Sequence, residues 1–295
     1  MIISKLSGGL GNQMFQYAAG RALAKRLKTD FKIDNNFYKH QPVNITHRKY
    51  ELECFKLKAE IASDQEIRKL NYFHFKNQNR LLNVLHYHLA PVFEKNYLQE
   101  KNPHNLDEKF FKTKKKNLYL QGSWQSEKYF KNIENIIRKD FDFKNKVNQH
   151  ANKILNKIKS TNSISLHVRR TDYISNTNTN KIHGVCSIEY YKQAINLIIK
   201  ETKDPIFFIF SDDISWCKQN LQLNYSHFYI ENNKNWEDLK LMSNCKHNII
   251  ANSSFSWWGA WLNQNKEKII YAPQKWFNLD KLDIKDRIPE KWYLI

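Results

Sequence analysis

Two stretches of the chain alternate short apolar runs with longer segments of helical spacing, and a third stretch between them does not. The opening has an apolar run at Ile2, Ile3 and Leu6, a break at Ser7-Gly8-Gly9-Leu10-Gly11-Asn12, and helical spacing from Gln13 to Lys28 through Met14, Tyr17, Ala18, Arg21, Ala22 and Leu23. A second short strand is expected at Phe31 to Ile33, before Asp34, so the opening predicts β-α-β. The last third predicts strands at Ser163 to Val168, Pro205 to Phe210, His227 to Ile230, Asn248 to Ala251 and Lys268 to Tyr271. Helices are expected between them at Ile188 to Lys200, Ile214 to Leu221, Trp236 to Asn244 and Ser253 to Asn263. In the middle, residues 55 to 117 mix Phe, Leu, Lys and Asn without a clean period, with helix expected around 64 to 72 and 79 to 88. Leu118-Tyr119-Leu120 reads as a strand ending at Gly122, followed by helix from Glu127 to about Lys139 and again over 145 to 159. Strands alternating with helices of this length imply parallel sheets covered on both faces. With no internal repeat and no low-complexity linker, the pattern predicts two α/β domains, residues 1–155 and 156–295.

Composition narrows the class. A hydrophobic fraction of 41% and an aromatic fraction of 14% supply real cores and exclude a disordered chain. Against 29 acidic residues stand 48 basic ones, a formal charge of +19. That surplus suits a polyanion, an anionic membrane surface or a phosphate-bearing small molecule, and it equally suits a lysine-rich surface with no partner. The run Lys112, Lys114, Lys115, Lys116 has no interleaved aromatics and reads as a solvated turn. With no RNP, zinc-finger or Gly-x-x-Gly arrangement, nucleic acid is not an expected partner. Cys54, Cys186, Cys217 and Cys245 form no C-x-x-C pair and read as buried free thiols in a reducing compartment. The N-terminus lacks the features of a signal peptide, and no run approaches the roughly 18 apolar residues of a membrane span. A cytoplasmic protein is expected, with peripheral contact to an anionic membrane as a use for the surplus basic charge.

Ligands of open parallel sheets bind beyond the carboxyl ends of the strands, which selects four loops. In Gly8-Gly9-Leu10-Gly11-Asn12-Gln13, Gly9 and Gly11 let backbone N–H groups approach an anion, and Asn12 and Gln13 add side-chain donors. The sequence is neither a Walker loop nor a full G-x-G-x-x-G, and a tight structural turn explains it as well. In His167-Val168-Arg169-Arg170-Thr171-Asp172-Tyr173, alternation places His167 and Arg169 on one face and Val168 and Arg170 on the other. Paired guanidinium groups at a strand end match a phosphate, and Asp172 either orients an arginine or serves as a base. The plain alternative is an exposed basic loop with a local Arg–Asp pair. Ser211-Asp212-Asp213 follows the most apolar strand and suits a ribose or guanine edge, a helix N-cap, or both. Asn252-Ser253-Ser254 opens a helix and forms a second anion seat or an ordinary cap, with Trp257 and Trp258 expected in the core. Two such seats from distant segments, brought together in a cleft, suit a nucleotide diphosphate.

At these residues the chain resembles the family 11 glycosyltransferases, the α-1,2-fucosyltransferases. The resemblance is carried by Gly8 to Ala18, by His167-Val168-Arg169-Arg170-Thr171-Asp172-Tyr173, by Gln121 to Phe130, by His183-Gly184 and by Asn252 to Trp258, in the expected order over residues 1 to about 277. It is much weaker over 55 to 115. It implies an α/β GT-B fold, two Rossmann-like domains facing each other across a cleft, the first on the acceptor side and the second binding GDP-fucose. It implies transfer of fucose from GDP-β-L-fucose to the 2-hydroxyl of a galactose-terminated oligosaccharide, inverting and with no metal or other cofactor. Asp212-Asp213 lacks the spacing of an Asp-x-Asp metal motif. By the resemblance Arg169 binds the β-phosphate, Ser253 and Ser254 the diphosphate, and His167 with Asp212 or Asp213 the guanine or ribose. Asp172 and His183 are the candidate bases. Many members have Gly where Thr171 stands. Competing readings are an α-1,6 or protein-linked fucosyltransferase, a nucleotide-sugar binder without catalysis, and a basic nucleic-acid-binding protein.

Overall fold

Parallel strands cannot be joined by tight turns and need long crossovers, which the helical spacing between the apolar runs supplies. The computed structural model describes residues 1–39, 41, 46–71, 96–171, 184–279 and 282–295. The chain divides into two units, Met1–Lys144 with Lys285–Arg287, and Asn145–Ile284 with Ile288–Ile295.

The first unit carries β1 (Ile2–Lys5), β2 (Phe31–Asp34), β3 (Glu60–Ile61), β4 (Tyr97–Gln99) and β5 (Leu118–Gln121) in the order β3-β2-β1-β5-β4. Every pairing is parallel. The helix α1 (Leu10–Leu27) starts three residues earlier than the spacing suggested. The chain break is confined to Gly8, whose φ of 74° is left-handed, and Gly9 already stands at the N-cap. Gly11, Asn12 and Gln13 therefore lie in the first helical turn. Alanines and Gly20 on α1 allow a close approach to β1 and β2, so the helix is buried on nearly every side. Helix α2 (Asp64–Leu70) opens on a capping box between Ser63 and Glu66. A short α3 (Glu108–Lys112) precedes β5. The expected single helix from Glu127 is instead two 3-10 turns, Glu127–Tyr129 and Lys131–Ile133, followed by α4 (Glu134–Asp140). The helix expected over 79 to 88 lies outside the described residues.

The second unit begins with α5 (Gln149–Lys159). The boundary expected near 155 falls inside this helix, and the division comes after Lys144. Its cap explains why: the backbone and side-chain amides of Asn148 donate to the Glu237 carboxylate at 2.8 and 3.1 Å, which ties α5 to the second unit. There follow β6 (Asn162–Val168), α6 (Ile188–Glu201), β7 (Pro205–Ser211), α7 (Ile214–Asn220), β8 (His227–Ile230), α8 (Asn235–Asn244), β9 (His247–Ile249), α9 (Ser254–Leu262), β10 (Ile270–Ala272) and β11 (Tyr293–Leu294). The sheet order is β11-β10-β9-β6-β7-β8, again all parallel. Ile164, Leu166 and Val168 of β6 pack with Tyr191, Ala194 and Ile198 of α6, with Cys217 of α7 and with Leu221 just after it. Trp257 and Trp258 are fully buried, as expected of core residues, and all four cysteines are buried free thiols.

Each sheet has a switch point beside its first strand. In the first, β1 is followed by β2 and β3 on one side while β5 and β4 lie on the other; in the second, β6 stands between β7 and β9. The loops at the carboxyl ends of β1 and β5, and of β6 and β9, flank those switch points, where ligands of open α/β sheets bind. Among the described residues no helix is long and apolar enough to cross a membrane.

The packing of α1 makes a direct prediction. A Cβ at Gly20 would lie 2.4 Å from the Phe31 ring and 2.9 Å from Ser4 Cβ. Gly20→Ala should destabilise the fold by roughly 1–3 kcal/mol through overpacking, read as a lower urea midpoint with an unchanged slope.

Candidate functional site

At the carboxyl end of β6, strand alternation separates the two basic side chains as the sequence suggested. Arg170 falls on the side of Val168 and is held there: its guanidinium carbon sits 3.8 Å from the centre of the Trp216 ring, and its Nε lies 3.5 Å from Asp213. Asp213 also caps α7, accepting from the Trp216 N–H at 3.0 Å. Arg169 points elsewhere and pairs through Nε with Asp212 at 3.3 Å. The Asp212 carboxylate also accepts from the N–H of Arg170 at 2.9 Å, from the N–H of Thr171 at 3.1 Å, and from the Thr171 hydroxyl. Burial alone would raise the Asp212 carboxyl, but Arg169, Thr171 and the Arg170 N–H outweigh it and hold the group below the usual carboxylate range. Asp212 is thus the bracket that fixes both the Arg169 side chain and the loop after it. Asp213 supplies the N-cap that was one of its two expected roles.

His167 lies on the opposite sheet face, 4% exposed, with its ring 5.7 Å from that of Phe255 in α9. Burial pushes its pKa down to about 4, Asp212 opposing and Arg169 adding to the shift. It is a neutral imidazole at neutral pH. Its Nδ1 is buried with no hydrogen-bond partner among the described residues, an orphan that a ligand could satisfy. The ring contact joins the two loops of this switch point. The second loop is Asn252-Ser253-Ser254. Ser253 caps α9 by accepting from the Phe255 N–H at 3.3 Å, and no acidic residue stands in the first turn. The helix start therefore keeps a favourable field for an anion. Asn252 is 1% exposed, and its amide donates to the carbonyls of Gly184 at 3.2 Å and Trp276 at 3.1 Å. Its amide is committed to holding backbone.

In the first unit, Gly9, Gly11 and Asn12 frame the start of α1, with the Arg48 side chain 3.9 Å from the position of a Gly9 Cβ. Gln13 is fully buried; it donates to the carbonyls of Gly8 and Lys49 at 3.0 and 2.8 Å and accepts from the Glu51 N–H at 2.9 Å. Its role is to brace the turn. Asp172 and His183 lie outside the described residues. Among the described residues no group of three or more His, Cys, Asp or Glu side chains is arranged to hold a metal.

Sequence reading missed a second loop at the first switch point, although it lies within Gln121 to Phe130, one of the segments that carry the family resemblance. The buried Glu100 carboxylate accepts from the N–H of Ser123 at 2.6 Å and of Trp124 at 3.1 Å, clamping the chain beyond β5. Burial lifts this carboxyl to about 7, against those N–H bonds and Arg287. Gln16 joins this loop to the glycine turn, donating to the Gly122 carbonyl and to the Ser7 hydroxyl, both at 3.1 Å. Lys5, half-buried at the end of β1, donates to Gln121 at 3.2 Å. The signal available in the sequence was a glycine between a strand and a tryptophan. Gly122 is needed because a Cβ there would lie 2.5 Å from Glu100.

The neutral His167 makes stability depend on pH. An imidazole in the unfolded chain titrates near 6.5, whereas this one holds no proton until about pH 4. Between those values the unfolded chain binds the extra proton, so stability falls as the pH drops from about 6.5 to about 4, and this contribution is flat below. The loss between pH 7 and pH 5 should be smaller in His167→Gln by roughly 2 kcal/mol, measured by urea unfolding at both pH values.

Comparison with known proteins gives the family. Residues 2–295 match the family profile described as Glycosyl transferase family 11. Over 300 residues the chain is 35% identical to an alpha-1,2-colitosyltransferase from Escherichia coli, covering 100% of this chain and 99% of that protein. It is 36% identical over 292 residues to the O-antigen biosynthesis glycosyltransferase WbnK from Escherichia coli, covering 93% and 94%. Among solved structures, the NodZ alpha-1,6-fucosyltransferase soaked with GDP-fucose aligns with a TM-score of 0.52 at 14% identity, over 88% of this chain and 91% of that one. That likeness shows the fold, GT-B. With a family profile matched from the second residue to the last and two relatives matched over nearly their full lengths, the chain is a glycosyltransferase and belongs to family 11.

Proposed function

We propose that the chain transfers L-fucose from GDP-β-L-fucose to the 2-hydroxyl of a terminal β-galactose, with inversion and without a metal or other cofactor. The observation that carries this reading is the Arg169 guanidinium, held by Asp212 at the same switch point as the start of α9, whose first turn carries no acidic residue. Inversion is a direct displacement: the acceptor oxygen attacks the anomeric carbon as the bond to the β-phosphate breaks, and negative charge grows on the departing GDP. Arg169, Ser253, Ser254 and the helix-start N–H groups stabilise that charge where a metal would otherwise do so. By the family resemblance Gly9, Gly11 and Asn12 are donor contacts. His167 meets guanine or ribose as an uncharged partner. Asp172 or His183 takes the proton lost by the attacking hydroxyl. The basic surface concentrates an anionic donor and favours the inner face of an anionic membrane.

The end-to-end relative named as a colitosyltransferase supports a second donor, GDP-colitose. Colitose is 3-deoxyfucose, so the two readings differ at one hydroxyl of the sugar. The relative named for O-antigen biosynthesis supports a lipopolysaccharide O-antigen glycan as the natural acceptor.

Incubation with lactose and either GDP-fucose or GDP-colitose, in the presence of EDTA, tests donor, linkage and metal independence together. Linkage analysis should find an α-1,2-fucosylated galactose; transfer to another hydroxyl, or none with EDTA, would count against the proposal. Arg169→Ala should lower kcat by about 10²–10³ with an unchanged melting temperature, and near-normal turnover would remove Arg169 from the mechanism. Asp172→Asn and His183→Gln, assayed side by side, identify the base as the one whose loss abolishes turnover.

A further inference from the structure

The loop beyond β5 holds a chain of side chains whose hydrogen-bond directions can be worked out from chemistry alone. It begins at Arg287, 5% exposed, whose guanidinium donates to Gln125 Oε1 and to the Pro103 carbonyl. A guanidinium has donors only, so the Gln125 amide must present its oxygen to Arg287. Its nitrogen is thereby turned the other way, where it donates to Asn12 Oδ1 at 2.8 Å. The Asn12 amide must in turn present its oxygen to Gln125. Its nitrogen lies against the glycine turn, 2.6 Å from where a Cβ on Gly8 would stand. One guanidinium therefore sets the polarity of two amides in series. The far end of the series is in the first turn of α1, beside the switch point between β1 and β5. The loop that carries Gln125 is itself held from behind, by Glu100 on the N–H groups of Ser123 and Trp124.

We propose that Gln125 is a positioning residue that keeps the donor pole of the Asn12 amide turned toward the phosphates of the nucleotide, with Arg287 as the reference that sets its direction. The proposal rests on the reading of Asn12 as a contact to a GDP-linked donor. An asparagine beside a diphosphate helps only in one orientation. Its N–H groups stabilise the charge, and its oxygen repels it. In solution the two orientations of an amide interconvert freely, so a pocket that selects one removes that loss before the ligand arrives.

The test is calorimetric binding of GDP to the wild type, Q125E, Q125M, N12A and the double variant N12A/Q125E, with melting temperatures recorded alongside. Q125E keeps an acceptor for Arg287 but puts a second oxygen toward Asn12, which must then turn over. The Kd for GDP should rise by about tenfold or more in Q125E, as expected for losing a hydrogen bond to a charged group, and by less in Q125M, which removes the donor to the Asn12 oxygen without placing a second oxygen there. In the N12A background Q125E should cause no further weakening. Equal affinity of Q125E and wild type overturns the proposal, and so does the same loss in the N12A background, because added negative charge alone would then explain it. Should Q125E fail to fold, Q125M with and without N12A carries the same test, and additive effects overturn the proposal. A wild type that binds no GDP overturns the donor reading and this inference together; a wild type that binds GDP with Q125E unaffected overturns this inference alone.

Discussion

A strand that comes first in its sheet, with its successors wound off to both sides, leaves the loops at its carboxyl end without a crossover helix packed between them. This constraint places the chemistry of the chain. In the first unit β1 is that strand, and in the second it is β6. Each delivers its loop to a gap beside the loop of its neighbour on the other side: Gly8 to Gln13 meets the Gln121–Gln125 segment, and the end of β6 meets the start of α9. Side-chain contacts cross both gaps, among them Gln125 to Asn12 in one and His167 to Phe255 in the other.

Charge is handled differently at the two gaps. At the second, two adjacent arginines would repel each other and any neighbouring cation. The repulsion is relieved by giving each its own carboxylate, Asp212 for Arg169 and Asp213 for Arg170, and by stacking Arg170 on Trp216. The neighbouring His167 stays neutral because it is buried and adds no positive charge to the pair. At the first gap the charges lie behind the surface. Glu100 and Arg287 are both nearly buried, and their effect reaches the switch point through neutral amides. An anion meeting this edge encounters oriented dipoles, which need no reorganisation when charge develops.

Much of the second unit was legible in the sequence. Strand β7 is a nearly unbroken apolar run, α5 and α6 have one apolar face, and Ser187, Asp213 and Ser253 fall at observed caps, so His227–Ile230 and Ile188–Glu201 fall within a residue of their expected limits. The first unit was less legible for three reasons. The helix α1 is buried nearly all round and shows little contrast between faces; β3 and β4 have two and three residues, too few for a period; and turns such as Glu127–Tyr129 are held by contacts to Asp286, far away in the chain.

By itself the sequence determined the α/β class, most of the strand–helix alternation, and the loops that end at Gly8–Asn12, His167–Thr171, Ser211–Asp213 and Asn252–Ser254. These follow from local pattern, because periodicity and turn chemistry are properties of neighbouring residues. Only the tertiary structure decided what each polar side chain in those loops does. Gln13 and Asn252 carry the same amide as Asn12 and sit in the same kinds of loop, yet they brace backbone from fully buried positions. Asp212 pairs with an arginine that local pattern would as readily have given to Asp172, and Gln125 takes its direction from a residue 162 positions along the chain. The type of a side chain fixes how many hydrogen bonds it can make. Which partner uses them is decided only when distant segments arrive at the same place.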